Sequence, residues 1–475
     1  MAEQISGGIS GIKDAAGMGA GVREWADRLA DEYDAHVAHN ALVRRYFEGN
    51  VRVKDYGAGA DTPCDQTCYW PAKAVDALAE RVRLRGFSFD DGEADPDLEA
   101  VMRRCGLVNA YNRYVPAKYV NGCMAATVTT DGTGARVRFH SADTFTAIPD
   151  PDFGHGVVAA GLAIARRERT AWSREREVPT IVNLHLPGNV VECRQVGPGE
   201  WVAEDGPSRE PEPTLYVFAH KPMGSSAPFG RTRINRFVRD ITDDAIRCLW
   251  HMQISGAYYS VPKLLFLNLT SRQYDAMLEG KDKFQLDKVL LAEQNPDGST
   301  AQISQLSGNS PQPFIDELMA LAKQFSGITS VPLNSLGIVQ DNPSSAEAIQ
   351  AAREDICLVA EQDIADDREI IEHVARVAMA VEGNSTVAEL AGSQLSCHAN
   401  YREPMLHSRS EMADWAVKVA SMREGFGSTD FAATAVGIPD ADLASVKSDE
   451  RRQKAASIAS GIFGGANAND PGQLG

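Results

Sequence analysis

A chain of 475 residues has room for roughly three domains, and 43% hydrophobic with 24% charged residues is the balance of an ordinary globular protein. A formal net charge of −18 argues against gripping nucleic acid through a basic face, though not against a surface past which DNA slides without sticking. No run of about 18 apolar residues could span a membrane, and the glycine-rich start has no apolar signal core.

Residues 1–22, rich in Gly, Ala and Ser, read as a flexible leader. Helical spacing of Trp25, Leu29, Tyr33 and Val37 predicts a helix from Val22 to Val51. Pro71 opens a second helix, Ala72–Arg85, which Gly86 ends, and a third covers Asp97–Tyr114. Between Lys118 and His220 short β-rich runs (125–130, 135–140, 179–185, 189–194 and 214–218) are punctuated by Asp131-Gly132 and Pro187-Gly188. They predict an antiparallel β module set into a helical protein.

Helical pattern returns over Arg233–Tyr259, where Ile234, Phe237, Ile241 and Ala245 mark one face. A compact segment, Lys263–Pro313, holds strand candidates at 263–267, 288–292 and 301–305. A helix over Phe314–Phe325 follows, with Gly327 as its stop. Then Ser344 and Glu347 form a capping box at the head of a helix running without Pro or Gly from Ser345 to Glu382, roughly 55 Å long. A capped helix over Ser408–Arg423, shorter helical pieces at 431–435 and 440–456, and a Gly/Ala/Asn-rich tail at 459–475 complete the chain.

The search for chemistry returns no catalytic, cofactor or metal site. Gly17, Gly19 and Gly21 lack the preceding strand and spacing of a dinucleotide loop. Asp34, His36 and His39 are a weak imitation of a metal site on a helix surface. Glu369 and His373 do not make an HExxH motif, and Cys397 and His398, being adjacent, are poorly placed to aim at each other. The eight cysteines read as reduced thiols; Cys64 and Cys68 have three residues between them, which suits neither a zinc knuckle nor a redox CxxC.

The order of pieces, together with Arg45–Asn50, Trp70–Phe87, Pro228–Ile234 and the Leu336–Gly337 and Asn342–Ala346 stretches, resembles the portal proteins of tailed bacteriophages of the siphophage type. Thr232 stands where the family's entry to its first stem helix has serine. The resemblance spans about residues 40–455. It implies an α+β portal fold: a wing of helices and an antiparallel β module at 23–234, stem helices at 235–260 and 314–326, and between them a small α/β clip at 261–313. A tunnel-loop region at 327–344, a long wing helix within 345–395 and a helical crown at 396–458 complete it. It further implies a homo-oligomeric ring, usually of twelve copies, in the virion at the capsid vertex and assembled in the host cytoplasm. Double-stranded DNA would pass through non-specifically. The terminase large subunit, the major capsid protein and a head–tail connector or adaptor would be its partners, with no membrane and no cofactor. The tunnel loop carried over is Ile338, Val339, Gln340, Asp341, Asn342 and Pro343; Gln340 and Asn342 are neutral polar, Asp341 is acidic, and there is no Lys or Arg from Ile338 to Ser345. A minor head protein, and an α/β hydrolase or transferase, are the alternatives.

Overall fold

The computed structural model of the protein describes residues 9, 11–55, 63–90, 95–130, 132–150, 156–259, 310–338 and 346–405, with shorter stretches within 263–306 and 409–453. It is a mixed α+β chain whose residues divide into two compact units, Met1–Pro404 and Met405–Gly475.

In the first unit, helix α1 (Ala20–Phe47) precedes α2 (Trp70–Ala79), strand β1 (Leu84–Ser88), α3 (Pro96–Cys105) and α4 (Leu107–Asn121). The second helix therefore ends earlier than its sequence pattern predicts, and Leu84–Ser88 pairs with a distant strand at His398–Tyr401. Gly86 is thus a strand residue rather than a helix stop. The third helical segment is two helices broken at Gly106, whose φ of 60° is open to glycine at little cost. Asp95 caps the first of them, its carboxylate accepting from the amides of Asp97 and Leu98.

The β module is antiparallel, in two sheets. One has three strands, with β2 (Cys123–Thr130) between β3 (Ala135–Ser141) and β9 (Leu215–Ala219). The other runs in sequence order from β4 (Phe145–Pro149) through β5 (Val158–Thr170), β6 (Ser173–Leu186) and β7 (Asn189–Gly197) to β8 (Glu200–Pro207).

The leader corrects its sequence reading. Residues 11–19 are ordered, with a 3₁₀ turn at Ile12–Asp14. Ile9, Ile12, Ala15 and Met18 are buried against Leu162, Val182, Leu184 and Trp201 of the five-stranded sheet. Ala16 exchanges backbone hydrogen bonds with the edge strand β8, donating to Trp201 and accepting from Ala203. The three-residue spacing of those apolar positions matches a 3₁₀ repeat, which a glycine-rich composition conceals.

Beyond the module, α5 (Arg236–Tyr259) and α6 (Gln312–Thr329) pack together. Between them β10 (Lys263–Leu269) is flanked by β11 (Val289–Glu293), parallel to it, and β12 (Gln302–Leu306), antiparallel. Helix α6 continues through Gly327 to end at Ser330, so Gly327 does not stop it. The long helix α7 (Ala346–Glu382) has 37 residues, and its C-terminal half is threaded through the main core by Ile371, Val374, Val377 and Ala378.

Residues 396–404, expected with the crown, belong to the first unit, because His398–Tyr401 completes the sheet with β1. The second unit holds α8 (Arg409–Met422), a 3₁₀ turn at Phe426–Ser428 and α9 (Asp430–Ala435), with Trp415 edge-on to Phe426. Trp415 is 41% exposed.

Candidate functional site

The described residues on either side of 339–345 are anchored in the core. On its N-terminal side, Thr329 closes α6 and a 3₁₀ turn over Leu333–Leu336 buries Leu336 in the main core. The Tyr69 hydroxyl donates to the Leu336 carbonyl at 2.5 Å. Gly337 then turns with φ of 81°, and a Cβ there would lie 3.1 Å from the Tyr69 hydroxyl, so both backbone angle and space favour glycine. Ile338 is half-buried against the same core, its amide donating to Leu333. Of the six loop positions carried over from the resemblance, Ile338 is the one described, and it is the root of the loop. Val339, Gln340, Asp341, Asn342 and Pro343 lie outside the described residues.

On the C-terminal side, α7 is fixed by a buried ionic cluster. Lys118, on α4, is fully buried, its ammonium 2.7 Å from Asp367 and 3.7 Å from Asp363. Tyr111, two turns earlier on the same face of α4, donates to the other Asp367 oxygen at 2.5 Å. His220, at the end of β9, lies 2.9 Å from Asp363 through Nδ1. Burial opposes charge on every member. For Asp363 that burial is outweighed by Lys118 and by the His220 hydrogen bond, which hold its carboxyl below the usual range. Burial also lowers the His220 pKa, which keeps its ring neutral, so Nδ1–H donates to the carboxylate. Two carboxylates thus share one buried ammonium, with tyrosine and histidine satisfying remaining lone pairs.

A second buried cation joins this region to the helix pair. Arg233, just before α5, donates from Nε to the Ala74 carbonyl at 2.9 Å and from Nη2 to the Thr329 carbonyl at 2.5 Å. It binds the C-terminal end of α6, whose last carbonyls lack helical partners, to α2. Nearby, Trp70 packs on Phe325 with ring centroids 5.4 Å apart.

The α5–α6 pair buries Val238, Ile241, Ala245, Ile246, Ala322 and Phe325, yet leaves Phe237 68% exposed and Ile315, Met319 and Ile328 exposed as well. Among the charges of α5, Asp243 is engaged inside the chain, accepting from the Tyr46 hydroxyl at 2.9 Å. Arg247 pairs with Asp244 at 2.6 Å and also donates to the Lys54 carbonyl.

The set-aside motifs stay apart. His36 bonds Glu32 on an exposed face. Cys397 is wholly buried, burial pushing its thiol up to about 12, while His398 is exposed and reaches Asp90. Cys64 and Cys68 are buried free thiols. No group of His, Cys, Asp and Glu among the described residues could hold a metal ion, and no described helix is long and apolar enough to cross a membrane.

Sequence reasoning missed Lys118, His220, Arg233, Asp363 and Asp367. The legible signal was on α7: Ala360, Asp363, Asp367, Ile371 and Val374 share one helical face, and two acids inside an otherwise apolar stripe demand a buried partner.

No protein-family model matches the chain. It is 24% identical over 362 residues to the portal protein of Mycobacterium phage L5 and 25% identical over 370 residues to that of Mycobacterium phage D29. In both cases the match covers 75% of this chain and 73% of the relative. Similar solved structures include the neck of a native gene transfer agent particle computed with C12 symmetry (TM-score 0.39, 11% identity, 78% of this chain and 90% of that one). The neck of the empty particle computed with C6 symmetry is another (TM-score 0.44, 12% identity, 92% and 99%). The chain is thus similar to proteins of one class, the portal proteins of phages.

Proposed function

We propose that the chain is the subunit of a ring, of twelve copies, at one capsid vertex, through whose axis DNA passes during packaging and ejection. In this reading residues 23–234 and α7 form the wing, α5 and α6 the stem, residues 261–313 the clip that meets the terminase large subunit and later the head–tail connector, and 405–458 the crown. The major capsid protein would surround the ring, and residues 339–343 would form a tunnel loop facing the DNA.

The observation that carries the reading is the run from α5 to α7: two packed helices enclosing a small sheet, then a short segment pinned at Leu336, then a 37-residue helix locked to the core through Asp363 and Asp367. The exposed apolar side chains of the helix pair, Phe237 foremost, supply the surface that a neighbouring copy would cover.

Mass photometry and negative-stain imaging of the purified chain test this. We expect a closed ring several-fold heavier than the monomer. A chain that stays monomeric throughout the micromolar range overturns the reading.

A further inference from the structure

A cleft of about 810 Å³ is lined by strands of both sheets of the β module and by residues at and just beyond the C-terminal end of α7. Arg136, Arg138, Arg166, Arg194 and Arg209 line it. Five guanidinium groups converging on one cleft run against the charge of the chain, which carries 65 acidic residues to 47 basic ones.

Two of the five are already engaged: Arg194 pairs with Glu192 at 2.8 Å, and Arg136 has a partner as well. The side chain of Arg138, exposed on β3, makes no ion pair or hydrogen bond among the described residues. Arg166 reaches Glu168 only at 3.5 Å, with more than half of each side chain in solvent. Arg209 donates to the Asn384 carbonyl just beyond α7, which leaves most of its donors available.

The lining also limits the occupant. Glu192, Glu204 and Asp205 stand among the arginines, so a uniform polyanion meets repulsion as well as attraction. The lining contains no aromatic residue, so there is no platform on which nucleobases could stack. An extended polypeptide suits this lining: its carboxylates can take bidentate arginine contacts at points separated by the interspersed acids.

We propose that this cleft is a docking site for an acidic, extended polypeptide segment of a partner protein, engaged through Arg138 and Arg166. The site lies on the β module and stands whether or not the ring reading holds.

The test uses the full-length protein and a fluorescein-labelled peptide of eight glutamates, followed by anisotropy at about 50 mM salt, where charge-assisted contacts are least screened. The expected result is saturable binding that weakens as salt is raised. It should fall at least about tenfold in the double variant Arg138→Glu, Arg166→Glu. Arg45→Glu, an exposed charge on α1, should leave it unchanged. Both cleft arginines are exposed, so the melting curve should hold. If it does not, the milder pair Arg138→Gln, Arg166→Gln replaces them. Absence of binding, or binding indifferent to the pair, overturns the proposal. So does displacement of the peptide by tripolyphosphate at matched charge, which would make the cleft a small-anion site. Tighter Arg138-dependent binding of a single-stranded oligonucleotide would assign it to nucleic acid and overturn the proposal as well.

Discussion

At the scale of single residues, the unusual element is a lysine with no solvent contact. An ammonium buried alone is untenable, and Lys118 persists because Asp363 and Asp367 neutralise it while Tyr111 and His220 complete the hydrogen bonds. Removing the cation should therefore cost more than removing an apolar side chain of equal size. Lys118→Met is expected to destabilise the fold by roughly 3–5 kcal/mol at neutral pH, because two carboxylates remain buried without a counter-charge. The pH dependence follows from sign. In the native chain Asp363 titrates below its usual range, so its contribution is present at neutral pH and is lost only as pH falls below about 4. In the variant the buried carboxylates would titrate above the unfolded value, so their penalty grows as pH rises and shrinks towards pH 5. Denaturant unfolding at pH 7.5 and pH 5 checks this. A deficit independent of pH would mean that Lys118 acts through packing alone.

At the scale of elements, the N-terminal segment behaves as part of the fold. Ile9, Ile12, Ala15 and Met18 cover the face of the five-stranded sheet that carries Leu162, Val182 and Leu184, and Ala16 pairs with β8, whose outer edge would otherwise present open backbone groups. Ile12→Ala should cost about 2–5 kcal/mol, the range for truncating a wholly buried isoleucine. A Tm lower by several degrees in a thermal scan would show it, whereas an unchanged Tm would mean that the segment merely rests on the sheet. This element illustrates what the sequence could and could not disclose. Long periodic helices such as α1, α5 and α7 announce themselves because apolar side chains recur on one face over many turns. Ile12 does not, because four apolar residues among glycines carry meaning only once a sheet exists to receive them. Leu84–Ser88 was hidden for the same reason: its partner, His398–Tyr401, lies more than 300 residues away, and no local pattern encodes that pairing. The turn at Gly337 was legible as glycine, but the Tyr69 hydroxyl that pins Leu336 comes from the residue capping α2 and belongs to tertiary structure alone.

At the scale of the whole molecule, the proposed ring turns a single acidic side chain into a repeated one. Residues 339–343 contain Asp341 and no cation, so a ring of such loops would present carboxylates to passing phosphates and none of the ion pairs that retain DNA. Net charge points the same way, since −18 per chain is multiplied by every copy. Asp341→Lys reverses the sign at the narrowest proposed contact without touching the anchors at Leu336, Lys118 and Asp367. Rings should assemble to the same mass. Their retention of short duplex DNA, near background in the parent ring, should rise at low salt. It should fall steeply between about 50 and 200 mM, because each phosphate contact adds roughly −0.9 to the slope of log affinity against log salt. Packaging driven by the cognate motor should slow in proportion. Rings that neither hold DNA more tightly nor package it more slowly would remove residues 339–343 from the DNA path, and would leave α7 as a strut serving the wing alone.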